Sequence, residues 1–442
     1  MRSRYIGCFF MLLLLLAIFL EIDSVIADDI YISPIGGGSG TINDPVDFQT
    51  ALNLAADNGD SDDILYLQTG TYNGNFVYNP VADNGNIEIQ GGWNDDYSMR
   101  NIDPANTVLD GSNAGNVMKF KDFASSTVSG SIKVEGVTIR NGRSSLGAGI
   151  YAFTIPPGTI EIRNNIIENN EAQGLGGGCT LACGDWGGNV GGTIVLADNI
   201  IRNNKATGFM DAGTAETGEG GGCSVFATGE TILVNNLIHN NSSGTSDTFE
   251  GLGGGILVEL YGGTTHLVNN TITNNRVFKA QGTTSGTGGG IVLSTADTAW
   301  GPSNTFVYNT IIYGNFSESL QGSKDIANTI LDSGISIGST LDIHFSDYGD
   351  MGIAGVIPTL SNNIHVFPHF SKISESLYYL TGRSACVDAG FNSAPNIPAK
   401  DLAGLDRPQD GNSDGQSVAN IGCYEQVVNT RRAWSPGGIS GR

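Results

Sequence analysis

Ile162-Arg-Asn-Asn-Ile-Ile-Glu-Asn-Asn170 is a segment that recurs along the chain and decides the fold. Closely similar segments begin at Leu196, Leu233, Leu267 and Phe306, and a looser one begins at Val134. The five close copies share an asparagine at their fourth position: Asn165, Asn199, Asn236, Asn270 and Asn309. These asparagines are 34, 37, 34 and 39 residues apart. Repeats of this length indicate a solenoid or an array of small units.

A second repeated element consists of glycine runs that open short apolar stretches. The runs are Gly147-Ala-Gly-Ile150, Gly176-Gly-Gly-Cys179, Gly220-Gly-Gly-Cys223, Gly253-Gly-Gly-Ile256 and Gly288-Gly-Gly-Ile291. The chain holds 64 glycines in 442 residues without a collagen-like period, so these glycines mark tight turns that are repeated many times. The repeating unit is therefore strand, turn, strand, variable loop, glycine turn and strand.

The polarity of the repeat alternates with a period of two, which is the period of a β-strand. The pattern places Asn165, Ile167 and Asn169 on one face, and Ile166 and Glu168 on the other. Glycine and asparagine at this density disfavour helices, and units this short bury their inner isoleucine only by stacking on the next unit. The sequence therefore predicts an all-β fold, a single-stranded right-handed parallel β-helix with an N-terminal capping helix and a C-terminal cap.

Inward-facing asparagines require partners, because a buried amide without a hydrogen bond costs about 1 to 3 kcal/mol. In a parallel stack, equivalent side chains lie ~4.8 Å apart, so each amide can donate to the next carbonyl oxygen. We expect the five shared asparagines of the repeat to form such a ladder, with a structural role.

The N-terminal residues have the form of an export signal. Arg2 and Arg4 precede an apolar run from Ile6 to Leu20, and small residues follow it. The alternative, a transmembrane anchor, is disfavoured because the run is shorter than the ~20 residues that span a bilayer. We expect residues 1–27 to be removed, which leaves a secreted, extracellular or cell-surface protein without a membrane span.

The chain is strongly acidic, with a formal net charge of -23. Nucleic acids and anionic membranes are bound through lysine and arginine, so this charge argues against both as partners. It suits a soluble extracellular protein, and also a protein that collects divalent cations. Solubility is the simpler of the two interpretations.

The sequence predicts five stretches along the chain. They are the export signal (1–27), an N-terminal cap with the first coils (28–130), the regular repeats (131–345), decaying coils with a closing segment (346–426), and a tail (427–442). A predicted amphipathic helix within residues 45–56 would cover the open edge of the first coil, as the caps of solenoids do. The name closing segment is used below for residues 375–426, which are rich in Asp, Pro and Gly.

Motifs at both ends of the chain resemble those of known proteins. Tyr31-Ile-Ser-Pro34, Leu67-Gln-Thr-Gly-Thr-Tyr72 and Gly91-Gly-Trp93, together with the Asn-rich coils, resemble the pectate-lyase-like right-handed β-helix proteins. Ser384-Ala-Cys-Val-Asp-Ala-Gly390 and Ile421-Gly-Cys-Tyr-Glu425 resemble the choice-of-anchor Q domain of bacterial surface proteins. The resemblance implies the fold and export. It says little about activity, because the superfamily includes lyases, glycosidases and adhesins.

Alignment of the repeats places polar residues in one outward column: Arg140, Glu168, Arg202, His239 and Thr273. A lyase needs a base that abstracts a proton beside a sugar carboxylate, and Arg202 and His239 are the candidates. The alternative, which we favour, is a solvated ladder in which charges alternate in sign along a parallel sheet. A glycosidase would need two carboxylates ~5 to 10 Å apart, and sequence spacing does not establish such a pair.

Long loops before the glycine runs emerge at equivalent positions, so they gather on one side of the stack, where solenoids usually bind. Four aromatic residues are candidates for stacking on sugar rings: Trp186, Phe209, Phe249 and Phe278. The sequence therefore predicts a groove that binds a polysaccharide or a cell-surface glycan. Packing of the loops against one another is the alternative.

The closing segment contains the front half of a calcium-binding loop. Asp410, Asn412 and Asp414 would supply oxygen ligands, and Gly415 permits the turn. The twelfth position is Ile421, where an EF-hand would have glutamate, so the match is partial. Ca²⁺ is therefore a candidate cofactor, and a solvated Asp/Gly turn is the alternative.

Five cysteines follow the export signal, in a location expected to be oxidising. An odd number leaves at least one without an intramolecular partner. Cys386 and Cys423 occupy matching places in the two closing motifs, so we expect a disulfide between them. Cys179 and Cys223 follow equivalent glycine turns and are expected on neighbouring coils. Whether they bond to each other, or Cys183 competes, stays open.

Two functional hypotheses follow from these observations. The favoured one is a secreted or cell-surface β-helix protein that is not an enzyme and that binds carbohydrate or acts in adhesion. The alternative is a calcium-assisted polysaccharide lyase acting on an acidic glycan. The net charge of -23 disfavours an acidic substrate unless calcium bridges the two partners.

Overall fold

The computed structural model describes the chain as a rising coil of short strands. The described residues are 28–57, 62–80, 86–120, 129–184, 191–211, 214–245, 249–278, 288–295, 301–318, 330–333, 338–349, 351, 356–371 and 378–426. The predicted export signal lies outside them. Within these ranges, no helix has the length and apolar character needed to cross a membrane.

Four parallel sheets hold most of the strands in the described residues, and the chain visits them in a fixed order. Sheet 1 contains Asp28–Ile32, Asp62–Gln68, Asn86–Trp93, Ile132–Glu135, Thr159–Arg163, Thr193–Ala197, Glu230–Val234, Gly263–Val268, Ser303–Tyr308, Thr340–His344 and Thr359–Ser361. Sheet 2 contains Gly70–Asn73, Thr107–Asp110, Thr138–Arg140, Ile166–Glu168, Ile200–Arg202, Leu237–His239, Thr271–Thr273, Ile311–Tyr313 and Asp347–Tyr348.

Sheets 3 and 4 complete each coil. Sheet 3 contains Arg143–Ser144, Glu171–Ala172, Lys205–Ala206, Ser242–Ser243, Arg276–Val277 and Phe316–Ser317. Sheet 4 contains Phe76–Tyr78, Met118–Phe120, Ile150–Thr154, Cys179–Cys183, Cys223–Ala227, Ile256–Leu260, Ile291–Thr295 and Ile330–Ser333. Two small additions are the antiparallel pair Phe209–Asp211 and Thr214–Glu216, and the parallel pair Gly218–Glu219 and Gly251–Leu252. The predicted right-handed parallel β-helix is confirmed.

The core consists of inward columns in which each coil places an apolar residue on its neighbour. In sheet 1, Ile162 pairs with Leu196, Leu196 with Leu233, and Leu233 with Leu267. All four side chains are at most 1% exposed. Because no single coil could bury these side chains alone, the stacking of coils is what removes the apolar surface from water.

Two ladders of buried asparagine flank sheet 2. In the first, the backbone N–H of Asn165 donates to Oδ1 of Asn199 at 3.0 Å, and Asn199 repeats the bond to Asn236 at 3.1 Å. Asn236 continues it to Asn270 at 3.0 Å. The second ladder, made in the same way, contains Asn170, Asn204, Asn241, Asn275 and Asn315. The ladder predicted for residues 165 to 270 is confirmed.

Two details of the predicted repeat are wrong. Asn169 is exposed and has a positive φ of 56°, so the inner position passes to Asn170. Asn309 does not continue the first ladder, because the pairing of Val268 with Tyr308 aligns Asn270 with Thr310 instead. The backbone N–H of Asn270 accordingly donates to Oγ1 of Thr310 at 3.3 Å.

The Asn-Asn doublets have one structural task for each residue. The first residue of most doublets turns the corner with a positive φ, as in Asn164, Asn169, Asn203, Asn235, Asn240, Asn269 and Asn274. Asparagine tolerates this conformation better than most residues with a side chain. The second residue points inward and joins a ladder, as in Asn165 and Asn170. The doublet therefore forms the corner and satisfies the buried backbone at once.

The N-terminal end is closed by the helix α1 (Phe48–Asp57), as predicted. The side chain of Asp47 caps it by accepting a hydrogen bond from the backbone N–H of Thr50 at 3.0 Å. Gln49 forms two hydrogen bonds with the backbone of Val77, which lies on the first strand of sheet 4. The buried face of α1 consists of Phe48, Ala51, Leu52 and Ala55. The open edge of the first coil is thereby covered.

The closing segment, described from residue 378 to residue 426, covers the outer face of sheet 2. Leu380, Cys386 and Ile421 pack on Ile311 of that sheet. Asn269, at a corner of the coil, donates from Nδ2 to the carbonyl oxygens of Asn420 and Gly422, at 3.0 and 3.1 Å. The segment thus caps the C-terminal part of the stack from the side.

Candidate functional site

The outward column of sheet 2 has the register that the repeat predicts. Arg140 pairs with Glu168, Glu168 with Arg202, and Arg202 with His239. Nη2 of Arg202 lies 2.7 Å from Oε2 of Glu168. On the preceding coils, Nε of Arg140 lies 2.8 Å from Oδ2 of Asp110. At this end the column is a ladder of ion pairs, which is the interpretation that the sequence favoured.

His239 lies where the closing segment covers the column. Its side chain is 1% exposed, and the ring of Tyr378 packs on it with ring centroids 4.9 Å apart. Burial, assisted by the positive charge of Arg202, lowers the pKa of His239 to about 4. Neither ring nitrogen has a hydrogen-bond partner in the described part of the chain. A neutral imidazole shielded in this way cannot touch a polysaccharide while the segment is in place.

The loop side brings two of the four predicted aromatic residues together. Phe249 and Phe278 are both half-buried. The backbone N–H of Phe278 donates to the carbonyl oxygen of Ser243 at 2.8 Å, and its carbonyl oxygen accepts from the N–H of Gly251 at 3.0 Å. Because Ser243 and Gly251 flank the loop that carries Phe249, the two aromatic residues lie on adjacent coils.

The other two predicted aromatic residues are not brought to this site. Trp186 lies outside the described residues. Phe209 begins the strand Phe209–Asp211, which pairs with Thr214–Glu216 in a hairpin, and only its backbone is described. The aromatic part of the site therefore rests on Phe249 and Phe278.

Arg276 packs its guanidinium over two aromatic rings, those of Phe278 and Phe316. Its guanidinium carbon lies 4.3 Å from the ring centroid of Phe278 and 4.8 Å from that of Phe316. The same guanidinium forms an ion pair with Glu318. The side chain of Arg276 is 46% exposed, so this stack of ring, cation and ring lies on the surface. Such contacts stabilise by roughly 0.5 to 1 kcal/mol each at exposed sites.

These residues belong to the outward row of sheet 3. The row consists of Arg143, Glu171, Lys205, Ser242, Arg276 and Phe316, which pair in that order. Together with Phe249 and Phe278, it is called the sheet 3 strip below. Nη2 of Arg143 lies 3.5 Å from Oε1 of Glu171. Lys205 forms no ion pair with any described residue. Because Glu171 and Glu318 pair with Arg143 and Arg276, Lys205 is the cation of the strip that no described carboxylate neutralises.

The predicted calcium loop is folded on its own backbone. Oδ1 and Oδ2 of Asp410 accept hydrogen bonds from the N–H groups of Asp414 and Gly415, at 3.1 and 3.0 Å. Oδ1 of Asn412 accepts from the N–H of Asp414 at 2.8 Å. A carboxylate oxygen that accepts one such bond retains a further lone pair, so these residues remain chemically suited to Ca²⁺. Across the described ranges, no three His, Cys, Asp or Glu residues form a metal-binding group, and calcium binding stays a prediction.

The cysteine pairing differs from the expected one. Cys386 and Cys423 are both buried free thiols, because they pack against different coils. Sγ of Cys386 lies 3.3 Å from Oδ2 of Asp347, whereas the N–H of Cys423 donates to Oγ1 of Thr271, two coils earlier.

The disulfide in the structure joins Cys179 to Cys223, which are register partners on neighbouring strands of sheet 4. It therefore links two adjacent coils through their inward faces. The third cysteine of this region, Cys183, is a buried free thiol, and burial raises its pKa to about 11.

Arg276, Phe316 and Lys205 were not predicted from the sequence, although a signal for them exists. Each one directly follows an inner-ladder asparagine, at Asn275, Asn315 and Asn204 respectively. That position begins every strand of sheet 3 from Glu171 onward, so it faces outward in each coil. Reading the residue after each ladder asparagine as one column would have identified the strip.

Comparisons with known proteins add little to this picture. No protein-family model matches the chain, and the search of curated proteins likewise finds no match. Among solved structures, the crystal structure of pectate lyase Pel9A matches with 14% sequence identity and a TM-score of 0.47. The match covers 91% of this chain and 98% of that chain. The assignment of the fold therefore rests on the strand register described above.

Proposed function

We propose that this protein is a secreted or cell-surface β-helix protein that binds carbohydrate through the sheet 3 strip. The observation that carries the proposal is the stacking of the Arg276 guanidinium on the rings of Phe278 and Phe316 at the surface. Aromatic side chains offer a flat apolar surface to a sugar ring, and a guanidinium donates to hydroxyl or carboxylate oxygens.

The shape of the strip favours a polymer as the ligand. Its six strands are spaced ~4.8 Å apart, so the row extends along several coils. A row of outward side chains on successive coils can contact several sugar units of one polymer, whereas a single sugar would contact only one or two of them. Because such contacts are individually weak, we expect affinity to rise with the length of the glycan.

Binding without catalysis is the form of the proposal that the chemistry supports best. The guanidinium of Arg202 is held by Glu168, and His239 lies under Tyr378. Neither is presented as a free base, which proton abstraction from a sugar requires. The proposal includes export directed by residues 1–27 and a closing segment of the choice-of-anchor Q type. It also includes Ca²⁺ as a structural ion at Asp410, Asn412 and Asp414.

The test is a glycan-binding experiment with the full chain and the variant Phe278→Ala. A panel of immobilised neutral polysaccharides and uronate polymers would be probed, and we expect at least one to be retained. Removing one ring of the stack should weaken that binding about tenfold, as loss of a buried aromatic anchor typically does. The matched control is Phe367→Ala, which removes a phenyl group that is 54% exposed and lies outside the strip.

Two results would overturn the proposal. One is the absence of binding to any member of the panel. The other is equal binding by Phe278→Ala and Phe367→Ala. The same incubations should be followed for unsaturated sugar products, because their appearance, lost in Arg202→Ala or His239→Ala, would replace binding with lyase activity as the function.

A further inference from the structure

The outer face of sheet 1 carries a cluster of aromatic side chains near the capped end. Tyr31 and Tyr66, which are partners on the first two strands, stack with ring centroids 5.0 Å apart. Trp93 packs edge-on against Tyr66 at 5.1 Å, and Tyr97 packs edge-on against Tyr31 at 4.9 Å. Tyr97 is buried, whereas the other three rings are only partly covered. The cluster is therefore an open aromatic surface outside the core.

A cleft of about 360 Å³ lies on the same face. The strand Asp62–Gln68 joins the two features, because Asp62, Ile64 and Tyr66 alternate outward along it. Most residues that line the cleft are of polar types, among them Asp62, Asn86, Glu88, Ser131, Lys133 and Glu161. A volume in this range is typical of pockets that hold small ligands, about 300 to 1,000 Å³.

Ion pairs neutralise two of the carboxylates on this face. Nζ of Lys133 lies 2.9 Å from Oε1 of Glu88, and Nε of Arg163 lies 2.6 Å from Oε1 of Glu161. The cations available here are thus already matched by anions. They cannot serve an anionic ligand without giving up these bonds.

Two further carboxylates leave an excess of negative charge. Asp29 lies beside the aromatic cluster, where its Oδ1 accepts a hydrogen bond from the hydroxyl of Tyr66 at 2.9 Å. Asp62 opens the cleft, where its Oδ1 accepts from Nδ2 of Asn86 at 2.6 Å. Neither carboxylate has an ion-pair partner among the described residues, so the charge of each is available to a cation.

We propose that this face binds a polysaccharide whose pyranose rings carry free, protonated amino groups. The partly covered rings of Tyr31, Tyr66 and Trp93 pack against sugar rings and attract ammonium groups to their π faces. Asp29 and Asp62 accept charge-assisted hydrogen bonds from the same ammonium groups. The site shares no residue with the sheet 3 strip. It lies on the first coils of the stack, whereas Arg276 lies several coils later.

The positive charge of the proposed ligand distinguishes it from other polysaccharides of similar shape. A uronate polymer would bring carboxylates toward Asp29 and Asp62 and be repelled. N-acetylation removes the positive charge of each amino group, as acetylation does for lysine, and leaves only the ring contacts. A neutral glucose polymer also lacks a positive charge, so it too retains only the ring contacts. The predicted order of affinity is therefore free amino sugar first, neutral or acetylated sugar next, and uronate last.

The experiment is isothermal titration of the full chain with oligomers of glucosamine, N-acetylglucosamine, glucose and galacturonate, below neutral pH, where the amines are protonated. We expect the glucosamine oligomer to bind at least tenfold more tightly than its acetylated form. Tyr66→Ala should weaken that binding at least tenfold. Asp29→Asn, which keeps an acceptor for the Tyr66 hydroxyl and removes the charge of an exposed residue, should weaken it several-fold and reduce its salt dependence.

Matched variants separate this site from general attraction to an acidic chain. Asp342→Asn removes one charge from the same outward face of sheet 1 at its far end, and it should leave binding unchanged. Phe278→Ala, which impairs the sheet 3 strip, should leave the weakening caused by Asp29→Asn in place, which distinguishes the two sites. Equal affinity for the acetylated oligomer, or equal weakening by Asp29→Asn and Asp342→Asn, would overturn the proposal.

Discussion

The regular stack and the closing segment are stabilised in opposite ways. In the stack, one set of contacts recurs in every coil, so that Asn204 does in one coil what Asn241 does in the next. In the closing segment, contacts occur once. Arg407 and Glu425 form a single ion pair whose side chains are both 0% exposed, and Nη1 of Arg407 reaches Oδ1 of Asn235 in the stack at 3.3 Å.

This difference determines how damage should spread. Loss of one ladder asparagine removes only a fraction of the repeated hydrogen bonds, and the coils on either side remain paired. Loss of a contact that occurs once removes the whole of it, because no neighbour substitutes. Single substitutions should therefore have their largest effects where the closing segment meets the stack.

The largest effect is expected from breaking the buried ion pair. Arg407→Met leaves the carboxylate of Glu425 buried without its cation, which typically costs about 3 to 5 kcal/mol. We expect the closing segment to detach while the stack stays folded. Hydrogen exchange measured by residue should show faster exchange in residues 378–426 and unchanged exchange in sheets 1 and 4.

A double variant provides the control for this prediction. Arg407→Met with Glu425→Met replaces the pair by apolar groups and leaves no buried charge, so part of the loss should be recovered. If Arg407→Met exchanges like the unmodified protein, the ion pair does not hold the segment in place.

The next largest effect concerns pH, because two buried groups at this interface respond to acid in opposite directions. The pKa of His239 is lowered to about 4, so the docked histidine stays neutral while the free one gains a proton below ~6.5. Burial raises the pKa of Asp347 to about 6, so the docked carboxyl gains its proton earlier than the free one. Acid therefore weakens docking through His239 and strengthens it through Asp347, by at most about 3 kcal/mol each at 1.36 kcal/mol per pKa unit, because neighbours within the stack cause part of each shift.

Single variants should separate the two responses. Asp347→Asn leaves His239, and docking should weaken as the pH falls from ~6.5 to ~4. His239→Leu leaves Asp347, and docking should strengthen as the pH falls from ~6 to ~4. The unmodified protein should vary least. Urea unfolding or hydrogen exchange at several pH values measures all three, and parallel pH profiles would contradict the assignment.

A smaller effect is expected inside the stack, where the two residues of one doublet can be compared. Asn204→Ala removes Nδ2, which donates to the carbonyl oxygen of Ile167 at 2.8 Å, and Oδ1, which accepts from the N–H of Asn170 at 3.1 Å. Leaving these buried groups unpaired should cost about 2 to 3 kcal/mol.

The neighbouring Asn203→Ala loses only the tolerance of asparagine for a positive φ of 57°, which costs about 1 kcal/mol. Asn203→Gly should be close to neutral. Urea unfolding of the three variants gives the order, and a larger loss in Asn203→Ala than in Asn204→Ala would refute the division of tasks within the doublet.

The same division between repeated and unrepeated contacts explains what the sequence could predict. Strand type, register and the ladder from Asn165 to Asn270 were predictable, because the sequence pattern that indicates each of them recurs several times along the chain. Asn309 was misplaced because its coil has Asn309-Thr310 where the preceding coil has Asn269-Asn270, and the register gives Asn309 the corner position of Asn269, not the ladder position of Asn270. The burial of His239 was not predictable, because Tyr378 covers it from a segment without a repeat and 139 positions away. Arg276 was missed for another reason, since its column varies in residue type from coil to coil.

The smallest effect is expected at the ion pair of Arg202 and Glu168, which lies in the stack close to where the closing segment begins to cover it. Its side chains are 25% and 14% exposed, so solvent still reaches the pair, and ion pairs that solvent reaches contribute about 0.2 to 1 kcal/mol. Arg202→Gln should therefore lower the free energy of unfolding by less than Asn204→Ala does. It should also raise the pKa of His239, because a positive charge that opposes its protonation has been removed. Nuclear magnetic resonance titration of His239 measures this change, and an unchanged midpoint would show that burial alone keeps the imidazole neutral.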